Sequence, residues 1–402
     1  MRNIAKRMEG IPFSGIRHIF ERVQRLERES KSIIHLEIGQ PDFDTPDHIK
    51  QAKSKAIDDG LTHYTSNYGI MPLREAISKK LKQDNNLQFS PENEIIVTLG
   101  VSEAIFISMM ALLNPGDEVL VLEPLFPNYL MAARMVGAIP VPVPVHQENN
   151  YQPDITDLKQ RLTSRTRMLV ITTPGNPTGA LFDEYTLQSL ADFSIENDLL
   201  VMSDEIYEKL IYDNCRHLSI AGLPGMRSRT LTLNGFSKSY AMTGWRVGYV
   251  AADESLIQAL IRIHQYAVVC ANSTAQWGAL EALEGPQDGL KSMVDEFDRR
   301  RLLVIDRLSE APGISFPRPQ GAIYAYIDVS RLSADAYRLA DDLLLQARIA
   351  VVPWDKRHIR ISYGVSFESL EIALERFHEF CLRQLSKQHI HSESLLDSTS
   401  IA

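Results

Sequence analysis

The sequence predicts an α/β fold: a mostly parallel sheet covered by helices on both faces, joined to a smaller α+β domain. Three observations carry this. Short apolar runs such as EIIVT (94–98), EVLVL (118–122) and MLVIT (168–172) are bounded by loops and alternate with longer segments of helical character. These runs are apolar at nearly every position rather than every second one, which suits strands buried on both faces. After about residue 290 the alternation gives way to a charged helical stretch and separated extended segments.

Taken in order, Glu94–Thr98 reads as a strand and Ser102–Leu113 as a helix stopped by Asn114-Pro115-Gly116. Glu118–Leu122 is a strand, Tyr129–Val136 a helix and Ile139–Val145 extended. The strand Met168–Thr172 ends in a Pro/Gly/Asn-rich loop, followed by a helix around Asp183–Asn197 and the strand Leu199–Met202. Thr230–Leu233 and Val247–Ala251 complete seven strands. Val294–Leu308 is a charged helix, with extended segments at Ala322–Asp328 and Ile359–Tyr363. At roughly 100–200 residues per domain, 402 residues make two or three domains. The expected organisation is an N-terminal segment (1–45) packing with the small domain, a large domain (46–290), a small C-terminal domain (291–385) and a loose polar tail (386–402).

Composition narrows the function. A net charge of −9 argues against a general nucleic-acid binder, whose surface is basic. The longest strongly apolar stretch, near Ile105–Leu113, is far short of the ~20 residues of a membrane span. The N-terminus has no apolar h-region of a signal peptide. Cys215, Cys270 and Cys381 are far apart and form no CxxC pair, so neither a disulfide framework nor a metal site is expected, and a cytoplasmic location fits. Asn272-Ser273-Thr274 matches the glycosylation pattern by chance on this reading. Walker, GxGxxG, HExxH and GxSxG motifs are missing.

The chemistry gathers at three strand ends. NGFSKSYAMTGWRVG (234–248) follows a short strand and carries Ser237, Lys238 and Arg246. A lysine in such a turn can project into a cleft and condense with a carbonyl. TPGNPTG (173–179) and SDEIY (203–207) add Asn176, Asp204 and Tyr207 at two further strand ends, and parallel sheets bind ligands there. Singly, each residue also fits a turn or a solvated surface. Together they fit pyridoxal phosphate. Asp204 would pair with the protonated ring nitrogen, and Tyr207 and Asn176 would donate to the phenolic oxygen. Arg246, Ser237 and the backbone of Gly100-Val101-Ser102 would hold the phosphate. Phe126 would stack on the ring, and Lys238 would form the Schiff base and then act as the base that moves the α-proton.

SGIRHIF, LEIGQPDFDTP, THYTSNYGIMPLREAI, NPGDEVLVLEPLFPNY, TPGNPTG, SDEIYEKL, FSKSYAMTGWRVGY, GAIYAY and HIRISYG occur in one order, from about Ser14 to Leu385. That series resembles the fold-type I pyridoxal-phosphate enzymes of the class I/II aminotransferase family, which includes aspartate aminotransferase. The resemblance implies that Arg360 grips the substrate α-carboxylate, with Gly39 and Asn176 beside it. It implies that Tyr64 reaches the cofactor phosphate of the neighbouring subunit, hence a homodimer with shared sites. The implied substrates are an L-α-amino acid and a 2-oxo acid.

One departure stands out. VVPWDKRHIRIS reaches Arg360 seven residues after Pro353, where the family usually has a glycine and a longer loop that walls the substrate pocket. Trp354 and Asp355 stand near that place. The shortening reads equally as a trimming or as a reshaped pocket. Arg17 and His18, in SGIRHIF, are candidates to meet the substrate side chain or simply to lie on an amphipathic helix. Aminotransfer is the leading expectation. Elimination, replacement, cyclisation or oxidation on the same scaffold is the alternative, and a non-catalytic sensor the third.

Overall fold

The computed structural model describes residues 4–13, 15–29 and 32–399; the side chains of 15–18 and 388–399 lie outside the description, and Arg17 and His18 with them. The chain opens with helix α1 (Gly15–Arg28), the short strand β1 (Ile34–His35), and helices α2 (Asp47–Asp58) and α3 (Met71–Asn85). There follow β2 (Ile95–Thr98), α4 (Val101–Leu112), β3 (Glu118–Glu123), α5 (Asn128–Met135), β4 (Ile139–Pro144), α6 (Ile155–Arg161) and β5 (Thr166–Thr172). Next come α7 (Glu184–Glu196), β6 (Leu200–Asp204), β7 (Thr230–Gly235), β8 (Gly248–Ala251), α8 (Glu254–Ala267) and α9 (Ser273–Glu284). The last part holds α10 (Asp288–Glu310), β9 (Tyr324–Asp328), α11 (Ala336–Asp342), β10 (Ile349–Ala350), β11 (Val352–Pro353), β12 (His358–Ser362) and α12 (Phe367–Thr399).

Seven strands form one sheet in the order β2-β8-β7-β6-β5-β3-β4, and β8 alone runs against its neighbours. Side-chain alternation sends each strand's residues to two cores. Ile96, Val119, Met168, Val170 and Met202 pack with α4, α5 and α8 on one face. On the other, Ile95 and Val97 meet α2, α3 and α9, and Leu120, Leu169, Ile171 and Val201 meet α6 and α7. β4 carries Pro140, Pro142 and Pro144 and lies at the sheet edge, where a missing N–H breaks no second ladder. Side-chain caps start several helices: Asp154 accepts from Thr156 N, Asp183 from Thr186 N and Asn272 from Ala275 N. Asn272 thus has a structural task as the cap of α9.

β9, β11 and β12 form an antiparallel sheet packed against α10, α11 and α12. The N-terminal segment joins this region: β1 pairs parallel with β10, and Ile19, Val23, Leu26 and Ile33 share a core with Leu344 and Ala350. The segment expected as a loose tail differs. Helix α12 runs on to Thr399, because neither glycine nor proline interrupts the chain after Phe367. Among the described residues no helix is long and apolar enough to cross a membrane.

Candidate active site

The carboxyl ends of β5, β6 and β7 face a cavity of about 650 Å³ between the large sheet and the small one. Thr172 closes β5, Asp204 closes β6, and Lys238 follows β7 in a tight turn. The parallel order of β5, β6 and β7 puts these ends side by side. Gly39, Val101, Ser102, Phe126, Asn176, Asp204, Tyr207, Ser237, Lys238, Arg246 and Arg360 all line this one cavity. Tyr64 does not; it is 85% exposed on the surface.

Asp204 is almost wholly buried, and burial pushes its carboxyl up to about 6. Opposing that, Tyr129 Oη donates to Oδ2 at 2.5 Å and the Ile206 N–H to Oδ1 at 3.0 Å. Thr172 Oγ1 in turn donates to Tyr129 Oη at 3.1 Å. Lys238 Nζ donates to the Gly39 carbonyl, and burial pulls its pKa below the ordinary lysine range. The Tyr207 and Tyr324 hydroxyls pair at 2.7 Å; burial first, and then Tyr324, hold the Tyr207 hydroxyl well above the usual phenol range.

Arg360, in the middle of β12, points its fork back at the cavity. Nη1 donates to Asn176 Oδ1 at 3.1 Å and Nη2 to the Glu37 carbonyl at 2.6 Å. Its Nε is buried with no acceptor among the described residues. The ring of Tyr324 lies 4.5 Å from the guanidinium carbon and that of Trp354 5.5 Å. Gly39 must be glycine here, since a Cβ would collide with the Tyr324 hydroxyl. Gly100, at φ +76°, ends the turn into α4, and a Cβ there would lie 2.6 Å from Arg246 Nη2. Arg246 thereby sits at the N-terminus of α4, donating to the carbonyls of Thr243 (2.9 Å) and Leu99 (3.3 Å). The first-turn N–H groups of Val101 and Ser102 have no intrahelical partner.

The sequence reading missed Tyr129, Tyr324, Thr172 and Glu37. Tyr129 and Tyr324 stood in the quoted stretches NPGDEVLVLEPLFPNY and GAIYAY, but nothing in one sequence distinguishes them from core tyrosines. Directly behind Asp204, Glu205 accepts from Ser203, Ser219 and His217, while Glu208 pairs with Lys80 and Asn85. Those partners already compensate the buried acids there.

Residues 31–377 match the family model described as aminotransferase class I and II. The chain is 40% identical to an aspartate aminotransferase of Pyrococcus abyssi over 93% of this chain and 97% of that one. It is 38% identical to aromatic-amino-acid aminotransferase 2 of Thermococcus litoralis, again over 93% and 97%. Among solved structures, the aspartate aminotransferase of Thermus thermophilus with maleate matches at TM-score 0.89 and 36% identity, covering 94% of this chain and 100% of that one. The one from Rhizobium meliloti matches at 0.92 and 34%, covering 95% and 100%. With a family model spanning most of its length and relatives of this identity, the chain belongs to the class I and II aminotransferases.

Proposed function

We propose that the cavity holds pyridoxal phosphate and that the enzyme moves an amino group from an L-α-amino acid to a 2-oxo acid. The supporting observation is the convergence of Lys238, Asp204 and Arg360 on one cavity at the sheet's carboxyl edge. The donor set fits the cofactor. Asp204 is a buried carboxylate whose raised pKa marks the want of a positive partner, which a protonated ring nitrogen supplies. Arg246, Ser237 and the free N–H groups of α4 form an anion cradle for the phosphate, and Phe126 offers a ring face. The family is pyridoxal-phosphate-dependent, and the bound group supplies an electrophilic carbon and a conjugated ring that accepts the electron pair released at Cα.

The chain's own residues do the rest. Lys238, with its amine shifted toward the neutral form by burial, would hold the cofactor through Nζ and, when not so engaged, would carry a proton from the substrate Cα. Asp204, held by Tyr129, keeps the ring nitrogen protonated. Tyr207 and Asn176 hold the ring oxygen. Arg360 receives the α-carboxylate on its fork, which its unpaired Nε is free to join, beside the backbone of Gly39. The donor would leave as an oxo acid, with water supplying the oxo oxygen and the amino group retained in the site, and the acceptor would take that amino group and release the water in the reverse course.

Tyr64 completes the phosphate site of a second copy in a homodimer, consistent with its exposure here. Residues 46–290 act as the cofactor-binding domain and 291–385, with the N-terminal segment, as the smaller one. The relatives named for aspartate and for aromatic amino acids share an α-amine and an α-carboxylate, the two groups these residues would grip.

The test is a single-turnover spectrum of the purified holoenzyme mixed with amino acids and no oxo acid. Loss of the visible cofactor band with one oxo acid per site supports aminotransfer. Continuous product without an acceptor would replace it with elimination or cyclisation. Lys238→Ala should abolish the visible band, and an unchanged spectrum would defeat the assignment.

A further inference from the structure

A second cavity of about 650 Å³ lies in the same cleft, beyond Trp354. One wall is the carboxyl end of β3 with the segment after β4; the other is the small sheet and the short turn Trp354–Arg357 between β11 and β12. That turn is closed tightly, with Trp354 N–H donating to the His358 carbonyl at 2.9 Å.

The cavity's charges do not balance internally. Asp328 is paired with Arg357 at 2.7 Å, and Asp355 accepts from His358 Nδ1 at 2.9 Å and from Tyr326 Oη at 3.0 Å. Glu123 has no hydrogen-bond donor or cation on its carboxylate among the described residues. Glu123 itself is exposed at the cavity mouth, and partial desolvation, then the charge of Asp355, push its pKa up. Glu148 is likewise unpaired at the rim. The other basic groups are Arg331, exposed at the edge, and His146, 3.9 Å from Asp157.

Tyr151 supplies a second, independent observation. It is 3% exposed and lines the cavity, and its hydroxyl, itself shielded from solvent, has no partner among the described residues. The charges that act on that hydroxyl belong to Asp328, Glu148, Asp355 and Arg357, all of them cavity residues. Trp354 adds aromatic surface, backed by the buried Tyr326 ring with centroids 6.3 Å apart.

We propose that this cavity binds an organic cation, a primary ammonium or guanidinium group, with Glu123 as its counter-ion, the Tyr151 hydroxyl as a further acceptor and the Trp354 ring packing its stem. Two sources share that chemistry. One is the far end of a substrate anchored at Arg360: the Trp354 ring, which lines the second cavity, lies 5.5 Å from the Arg360 guanidinium, and a small void of about 20 Å³ shares Thr172 and Asn176 with the first cavity and Tyr151 with the second. This source rests on the function proposed above. The other is a separate ligand, which does not.

The experiment uses holoenzyme and two measurements. Propylguanidine, which has no primary amine to displace Lys238 from the cofactor, is titrated calorimetrically into the wild type, Glu123→Gln and Glu123→Lys. In parallel, KM is measured for L-arginine and L-citrulline, which match in length and differ in charge. Loss of the counter-ion should weaken cation binding by about tenfold or more, with Glu123→Lys the more severe. A KM rise for L-arginine but not L-citrulline in Glu123→Gln, with propylguanidine competing, identifies the substrate's end. Loss of propylguanidine binding with both KM values unchanged identifies a separate ligand. The proposal is overturned if the Glu123 variants alter neither propylguanidine binding nor the L-arginine to L-citrulline ratio. Failure of the aminotransfer reading shows instead as a cofactor band that no amino acid changes.

Discussion

Asp204 provides a quantitative test of the cofactor assignment. Its carboxyl, 4% exposed, moves from an ordinary 3.8 to about 6, chiefly through burial. That displacement corresponds to about 3 kcal/mol. The sign follows from proton counting. Between pH 4 and 6 the folded protein keeps this proton and the unfolded chain has released it, so folding stability falls as pH rises. Below about pH 4 the cost is absent; above about pH 6 it is complete. Asp204→Asn removes the titration. In urea unfolding of the cofactor-free protein, at fixed protomer concentration, the wild type should therefore lose about 2 kcal/mol relative to the variant between pH 4.5 and 7.5, the rest of the loss falling below pH 4.5. Adding pyridoxal phosphate should flatten the wild-type profile, because a ring N–H⁺ gives the carboxylate its partner. The variant should bind the cofactor more weakly and show little such flattening. Parallel profiles for the two cofactor-free proteins would refute the reasoning, since Asp204 would then not be titrating in this window.

Arg360→Lys keeps the charge but loses the fork, and should lower kcat/KM for α-amino acids by about ten- to hundredfold, mainly through KM; steady-state kinetics with an unchanged KM would place carboxylate recognition elsewhere. Tyr129→Phe removes the 2.5 Å hydrogen bond to Asp204 and should weaken cofactor binding by about tenfold in an absorbance titration. An unchanged Kd would reduce Tyr129 to packing. Mixed dimers of Tyr64→Ala and Lys238→Ala should regain activity above either parent, because one of the two shared sites then holds both native residues; no recovery on mixing would mean that each site is built from one chain.

What the sequence made legible was local. TPGNPTG, SDEIY and FSK are each a strand end with its turn, so a few consecutive residues fix both the backbone and the direction of the side chain. The seven strands were visible for the same reason, their boundaries shifting by a residue or two at caps. Contacts closed by the whole fold were not visible. Tyr129 reaches Asp204 across 75 residues, Tyr207 meets Tyr324 across 117, and Asn176 meets Arg360 across 184. The helical continuation to Thr399 was missed for a different reason: polar composition suggested a tail, whereas helix formation needs only a run without breakers after a docked start.

This division has a chemical counterpart. The groups proposed to hold the cofactor come from β5, β6 and β7 and the turn into α4, elements locked between two cores. Their geometry follows from the sheet. The second cavity draws its walls from the end of β3, the segment after β4 and the β11–β12 turn, which are strand ends and turns. Trp354 stands at the boundary, its ring against Arg360 and its edge on the second cavity. A change at Trp354 should therefore alter which substrates are accepted while leaving the cofactor's absorbance as it was, since none of the groups proposed to hold the cofactor touches the Trp354 ring except through Arg360.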